Sequence, residues 1–538
     1  MKRSHICCAI IFISLVLFSS FQNFTQLLIL IRAGQKCGPT QNEVWSPNYF
    51  HQEALIISTK KIDLEFIKST EISIISSLKS KESQFNQTER SRYIPKRGPV
   101  VAAIDRSTFK SDDKCRKFGD LISQALLRYV QREGDEELSK LIRPLFTRRK
   151  LVIWTSDHHS APVLDLRSLL EPLGVEFIDH TLYHNCDYYC HCSGITDISV
   201  LNNVNVLKLD PQLMANFQKI YSPEHPEISR VDAFASFFCF SQFEMFRPYN
   251  KSIIAIAVMR FETCRTPRRW SELIGNLKEL IGKPYNIIGA NNQYDREYIR
   301  YFTNINAHLL PSFSLYTGNA RYNPTQQTYL FSAQRFGLDG GLDQLWNCEF
   351  GDRYLNLSSK FRLVHLRSVY GFGMYEYKDL ASHLGIVHVP YQVSTMSIFE
   401  QYRMCIPLFF PSHKLFVEWN MRYRVAYDRT TAMKWGFLNA SDIPPHPSQS
   451  DTPDPNDEGN AKAHEYWLRL ADYYTLPHIT HFSSVGQLVE ILHHMNRERL
   501  LDVSAAMSDF NRSQLKQLLR FWRSHLLAIA RYSPNKPT

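Results

Sequence analysis

Two short stretches carry side chains whose types and spacing could do chemistry. The first follows the apolar run LVIWTS at 151–156, where Asp157, His158 and His159 stand between that run and a helical stretch, 161–174. An imidazole near neutrality, or one oriented by a carboxylate, can take the proton from a hydroxyl that attacks an electrophilic carbon. His158 or His159 is therefore the expected base, with Asp157 as its orienter or as the alternative; a capping aspartate followed by two surface histidines is the plain structural reading. The second stretch is 386–412, IVHVPYQVSTMSIFEQYRMCIPLFFPS, ordered as strand, small polar turn, helix and a strand opened by proline. Its turn, Gln392, Val393, Ser394 and Thr395, falls at a helix N-terminus, where unbonded N–H groups and the helix dipole suit a diphosphate. Glu400, a turn further along, is suited to accept hydrogen bonds from ribose hydroxyls, and a solvated helix glutamate is the alternative. A leaving diphosphate also needs cations. Arg335, Arg353, Lys360 and Arg362 are the available positions nearby, each also explicable as a surface residue.

Stretch 386–412 resembles the nucleotide-sugar site of GT-B glycosyltransferases, above all the large retaining families. Their pattern is glutamate, seven residues, glutamate, then alanine, methionine, alanine, cysteine, glycine, a hydrophobe and proline. Glu400 and Pro407 fall on the second glutamate and the proline, Gln392 stands in the place of the first glutamate, and Cys405 in that of the glycine. The resemblance implies a fold of two Rossmann-like α/β domains facing across a cleft. It also implies that Glu400 holds the nucleotide ribose and that Ser394 and Thr395 lie beside the diphosphate. Gln392 puts in doubt a retaining mechanism that uses the missing acid. Cys405 implies an altered turn, because glycine is the residue that adopts left-handed backbone freely. In inverting members the base sits after the first strand of the first domain, which is where His158 and His159 stand.

The elements that must position these residues read as an alternation. Apolar runs at 151–156, 175–180, 252–259, 286–291 and 307–312 are separated by amphipathic stretches, and a second series runs from TYLFSA at 328 through 361–369, 386–391 and 407–412. Such alternation predicts parallel sheets wrapped by helices, which bind ligands outside the carboxyl ends of their strands. Asn291, Asn292 and Asp295 fall at one strand end, suited to sugar hydroxyls or to a helix N-cap network. The expected division is 1–5 tail, 6–31 membrane-spanning signal-anchor, 32–150 stem and helical region, 151–322 acceptor domain, 323–442 nucleotide-sugar domain, 443–463 disordered loop, and 464–538 closing helices.

The 538 residues carry a formal charge of +10, but 62 Lys and Arg are dispersed among 52 Asp and Glu. No basic block tracks a phosphate backbone, so nucleic acid is not an expected partner. The uncharged run 6–31, preceded by Lys2 and Arg3 and closed by Arg32, is long enough to span a bilayer, with a cleaved signal peptide as the alternative. Either orientation signal sends the bulk of the chain into the lumen. Sequons at Asn86, Asn250, Asn356, Asn439 and Asn511 and nine cysteines beyond residue 31 are compatible with that compartment. His180, His184, Cys186, Cys190, His191 and Cys192 could suggest zinc, but they lack paired C-x-x-C spacing and an oxidising lumen favours disulfides. No Asp-x-Asp occurs, so no metal is expected and the nucleotide-sugar is a co-substrate.

Together with the resemblance, these features lead to the expectation of a single-pass type II glycosyltransferase of the Golgi or ER membrane. It would transfer sugar to a glycan, glycoprotein or glycolipid. The alternative from another class is a non-catalytic, membrane-tethered lumenal binding protein on the same scaffold.

Overall fold

The computed structural model describes residues 112–182, 200–264, 269–332, 341–351, 361–371, 375–426, 444–457 and 459–536. The chain divides into units 1–97 and 98–538, and every described residue belongs to the second. The expected membrane span at 6–31 lies outside the described residues; among those described, no helix is long and apolar enough to cross a membrane.

Strands β1 (Leu151–Thr155), β2 (Val175–Asp179), β3 (Ala233–Ser236), β4 (Ser252–Ala257), β5 (Ile287–Ala290) and β6 (His308–Leu309) form one sheet in the order β2-β1-β3-β4-β5-β6. A second sheet holds β7 (Thr328–Ser332), β8 (Arg362–His365), β9 (Gly385–His388), β10 (Leu408–Pro411) and β11 (Thr480–Phe482) in the order β11-β10-β9-β7-β8. Every pairing is parallel, with registers such as Leu151↔Val175, Ile153↔Ala233 and Leu330↔Ile386. Parallel strands are covered on both faces, which is why β1, β4 and β7 are buried along their whole length. The protein is thus α/β with two parallel sheets.

Both sheets are wound the same way. The chain leaves β1 for β2 on one side and returns to β3 on the other; it leaves β7 for β8 and returns to β9. The two reversals, at β1/β3 and β7/β9, are where open parallel sheets present a crevice at their carboxyl edge. Gly385 opens β9 because a Cβ there would lie 2.7 Å from the carbonyl oxygen of Pro407, so no larger residue fits beside β10.

Six helices matter for the site: α1 (Asp112–Glu133), α2 (Ser160–Leu170), α3 (Gln293–Thr303), α4 (Met396–Arg403), α5 (Asp472–Thr475) and α6 (Arg497–Tyr532). α2 leads out of the β1/β3 reversal and α4 out of the β7/β9 reversal. One core lies between α1, α2, α6 and the first sheet, including Leu151, Ile254, Leu169, Leu519 and Trp522. A larger one covers the other face of the first sheet and continues into the second. Segment 444–457, whose composition predicts an exposed loop, is tied to the fold: His446 N donates to Tyr301 O at 2.9 Å, Asn456 Nδ2 to Tyr298 Oη at 3.3 Å, and Trp467 Nε1 to Pro453 O at 2.7 Å. It is anchored by one backbone and one side-chain bond to α3 and by the Trp467 indole, which composition does not reveal.

Candidate functional site

At the β1/β3 reversal Asp157 is fully buried. Its Oδ1 accepts from His159 N at 3.0 Å and Phe238 N at 3.3 Å, and its Oδ2 from Phe237 N at 2.7 Å. Burial pushes its carboxyl up to about 6 against the opposing effect of those three amides. The carboxylate thus stitches the end of β1 to the end of β3. The imidazoles of His158 and His159 stand 4.8 Å apart between centroids, and both pack on Phe238, at 5.2 and 4.3 Å. Burial pushes His158 down to about 4, and burial together with the neighbouring His158 pushes His159 down to about 3, so both rings are neutral at pH 7 and weaker bases than a free imidazole. His159 holds the N-cap position of α2 without a side-chain capping bond and is only partly buried, whereas His158 is buried.

At the β7/β9 reversal a small depression is lined by Ser332, His388, Gln392, Thr395, Ser397 and Phe410 among others. Thr395 is the N-cap of α4 and makes no capping bond to the helix backbone; its hydroxyl pairs with Ser397 Oγ at 2.9 Å. Ser394 bonds the buried carboxyl of Asp472 at the start of α5 rather than lining the depression, and Asp472 N donates to Val393 O at 3.4 Å. His388 is fixed by Gln401 Oε1 at 2.7 Å and lies flat on Phe410, 4.6 Å between centroids.

Glu400 points elsewhere. It is buried, and its Oε1 accepts from Tyr316 Oη at 2.8 Å and Tyr377 Oη at 3.2 Å. Burial raises the carboxyl to about 7. Tyr316 belongs to the connection between the sheets, so this carboxyl grips that connection. Cys405 adopts φ 60°, the left-handed backbone that the glycine pattern implies, with Asn511 Nδ2 donating to its Sγ at 3.5 Å. Asn292 caps α3: its Oδ1 accepts from Asp295 N at 2.7 Å, and its Nδ2 donates to Asp295 Oδ2 at 2.6 Å and Asn291 Oδ1 at 2.8 Å. These three residues form a buried capping network.

Arg335, Arg353 and Lys360 lie outside the described residues, as do His184, Cys186, Cys190, His191 and Cys192. Arg362 is exposed at the first position of β8, the edge of the sheet away from the depression. His180 bonds Glu227 Oε2 at 2.8 Å and packs on Trp154. Among the described residues no group of three metal-ligating side chains occurs, and the described disulfide joins Cys239 to Cys264. Sequence reasoning missed Arg367. It lies just past β8 on the carboxyl edge, partly buried; burial pushes its guanidinium down from the ordinary value, with Tyr391 beside the depression acting the other way. Its signal was position alone, an arginine near the end of the apolar run 361–369.

The two reversals meet. Ile122, Leu164 and Tyr316 form a small buried cluster against which Ala161, in the first turn of α2, and Met396, the first residue of α4, both pack. The first turns of the helices that follow His159 and Thr395 therefore border one shared cluster. No protein-family model matches the chain, and no curated protein matches it.

Proposed function

We propose that this protein is a GT-B-type glycosyltransferase that moves a sugar from a nucleotide-activated donor to a glycan, protein or lipid acceptor in the lumen of the secretory pathway, anchored through residues 6–31. The observation that carries the reading is the shared seat of α2 and α4. Each parallel sheet has a reversal point and the helices leading from the two share one cluster, which supports a donor bound at one and an acceptor at the other. The donor diphosphate sits at the start of α4, against the N–H groups of its first turn and the hydroxyls of Thr395 and Ser397. Arg367 supplies positive charge near the leaving phosphate, and Gln392 borders the sugar.

The acceptor approaches from β1. Its hydroxyl oxygen attacks the anomeric carbon, the bond from that carbon to the phosphate oxygen breaks, and the nucleotide leaves with the electron pair. His159, neutral and partly open to solvent, takes the hydroxyl proton, with His158 packed behind it and Asp157 fixing the turn that carries both. The hold of Tyr316 and Tyr377 on Glu400 is what favours the second reading, a donor-binding scaffold without catalysis. A donor-consumption assay on the full chain separates the two. Turnover with one donor class that falls ~100-fold or more in His159→Ala is the expected outcome for a general base; binding without any turnover leaves the scaffold.

A further inference from the structure

Residues 312–320 connect the two sheets, and side chains from both halves grip them. From the first half, Asp165 on α2 accepts from Phe313 N at 3.0 Å and Ser314 N at 2.6 Å. From the second, Glu400 on α4 accepts the Tyr316 hydroxyl, and Arg403 on the same helix donates to Ala320 O at 3.2 Å and to Gly318 O. The gripped segment bends sharply, with Ser314 at φ 52° and Gly318 at φ 66°, and serine is a residue that the left-handed region does not favour. Both carboxyls are buried, and they lie close enough for the charge on Asp165 to disfavour a charge on Glu400.

We infer that the 312–320 connection is a proton-operated lock, closed while the Asp165–Glu400 pair holds a proton and loosened when both carboxyls are ionised. Burial raises Asp165 to about 7, as it does Glu400. The sign follows. The closed form holds protons that the open, hydrated form would release, so closure is favoured at low pH and is progressively lost as pH rises from about 4 through about 7. Between pH 5.5 and pH 8 the neighbouring groups that burial shifts keep their state. Tyr129 on α1, raised by burial, stays protonated. Arg132 on α1 and Arg321 and Arg512 pair with Glu133, and Arg403, lowered to about 10 by burial, stays charged. His158 and His159, at the start of α2, stay neutral above about pH 5. The lock would set how the starts of α2 and α4 face each other, so Asp165 and Glu400 act as positioning residues.

Amide hydrogen exchange across 312–320 tests this on the full chain, at pH 5.5 and pH 8, after correction for the intrinsic rate. A single carboxyl with these closed and open values predicts an opening constant about tenfold or more larger at pH 8. In Glu400→Gln, which keeps an acceptor for the tyrosines, that pH dependence should shrink to the Asp165 contribution; in Asp165→Asn with Glu400→Gln it should vanish. Tyr316→Phe removes a hydroxyl that favours the ionised glutamate, so the midpoint of loosening should move to higher pH, a readout that survives if the carboxyl variants do not fold. Equal protection at both pH values in the wild type, or an unmoved midpoint in Tyr316→Phe, overturns the lock. None of these readouts involves a nucleotide, so the inference stands or falls apart from the proposed activity.

Discussion

Asp157 and its two neighbours illustrate how far side-chain identity carries. The order Asp, His, His after an apolar run suggested acid–base chemistry, and the imidazoles do stand neutral at a sheet reversal. Asp157 itself serves three backbone amides. Asp157→Ala should therefore act on stability: leaving those amides without their acceptor, two of them on residues of the β3 turn, is expected to cost about 2–4 kcal/mol in chemical denaturation. Asp157→Asn, which keeps one oxygen acceptor, should cost less. Glu400 shows the limit. Its position in the pattern was legible, but its partners Tyr316 and Tyr377 lie 84 and 23 residues away in the chain, and no local spacing announces them. Cys405 is the reverse case, since the backbone angle that the glycine position implies is kept although the residue has changed.

At the scale of elements, long apolar runs were readable and short ones were not. β1, β4, β7 and β9 follow their runs closely. β3 is four residues, AFAS, too small and too mixed to register, yet it is the strand that completes the first reversal and brings Phe237 and Phe238 to Asp157. β11, three residues, was lost for the same reason. Helix α6 begins at Arg497, and its first turns carry Leu500, Val503, Met507 and Phe510 at three- and four-residue spacing against the larger core. At 36 residues it is about 54 Å long, enough to serve both sheets. Asn511 donates to Tyr402 O and Arg403 O at the end of α4, and Trp522 is buried under the first sheet. Trp522→Ala is expected to destabilise the fold by about 3–5 kcal/mol, read as a lowered denaturation midpoint with the slope unchanged. A midpoint shift under about 1 kcal/mol would mean that α6 is not a structural part of the first half.

For the whole molecule, the sequence alternation foretold parallel α/β layers, and two parallel sheets wound alike are what the chain forms. How the halves meet was not legible, because it depends on Tyr316, Ala161 and Met396 converging from three distant segments. That convergence makes the start of α4 the centre of the account, and one substitution isolates it. An acid in the first turn of a helix favours the helix, while it repels an anion bound there. Calorimetric titration of the full chain with UDP, GDP and CMP, in the wild type and in Ser397→Asp, is the direct measurement. We predict that one nucleotide binds the wild type and that its affinity falls at least ~30-fold in Ser397→Asp while the melting temperature is unchanged or higher. Binding that survives the added charge, or no binding of any nucleotide to a folded wild type, would contradict a donor site at α4.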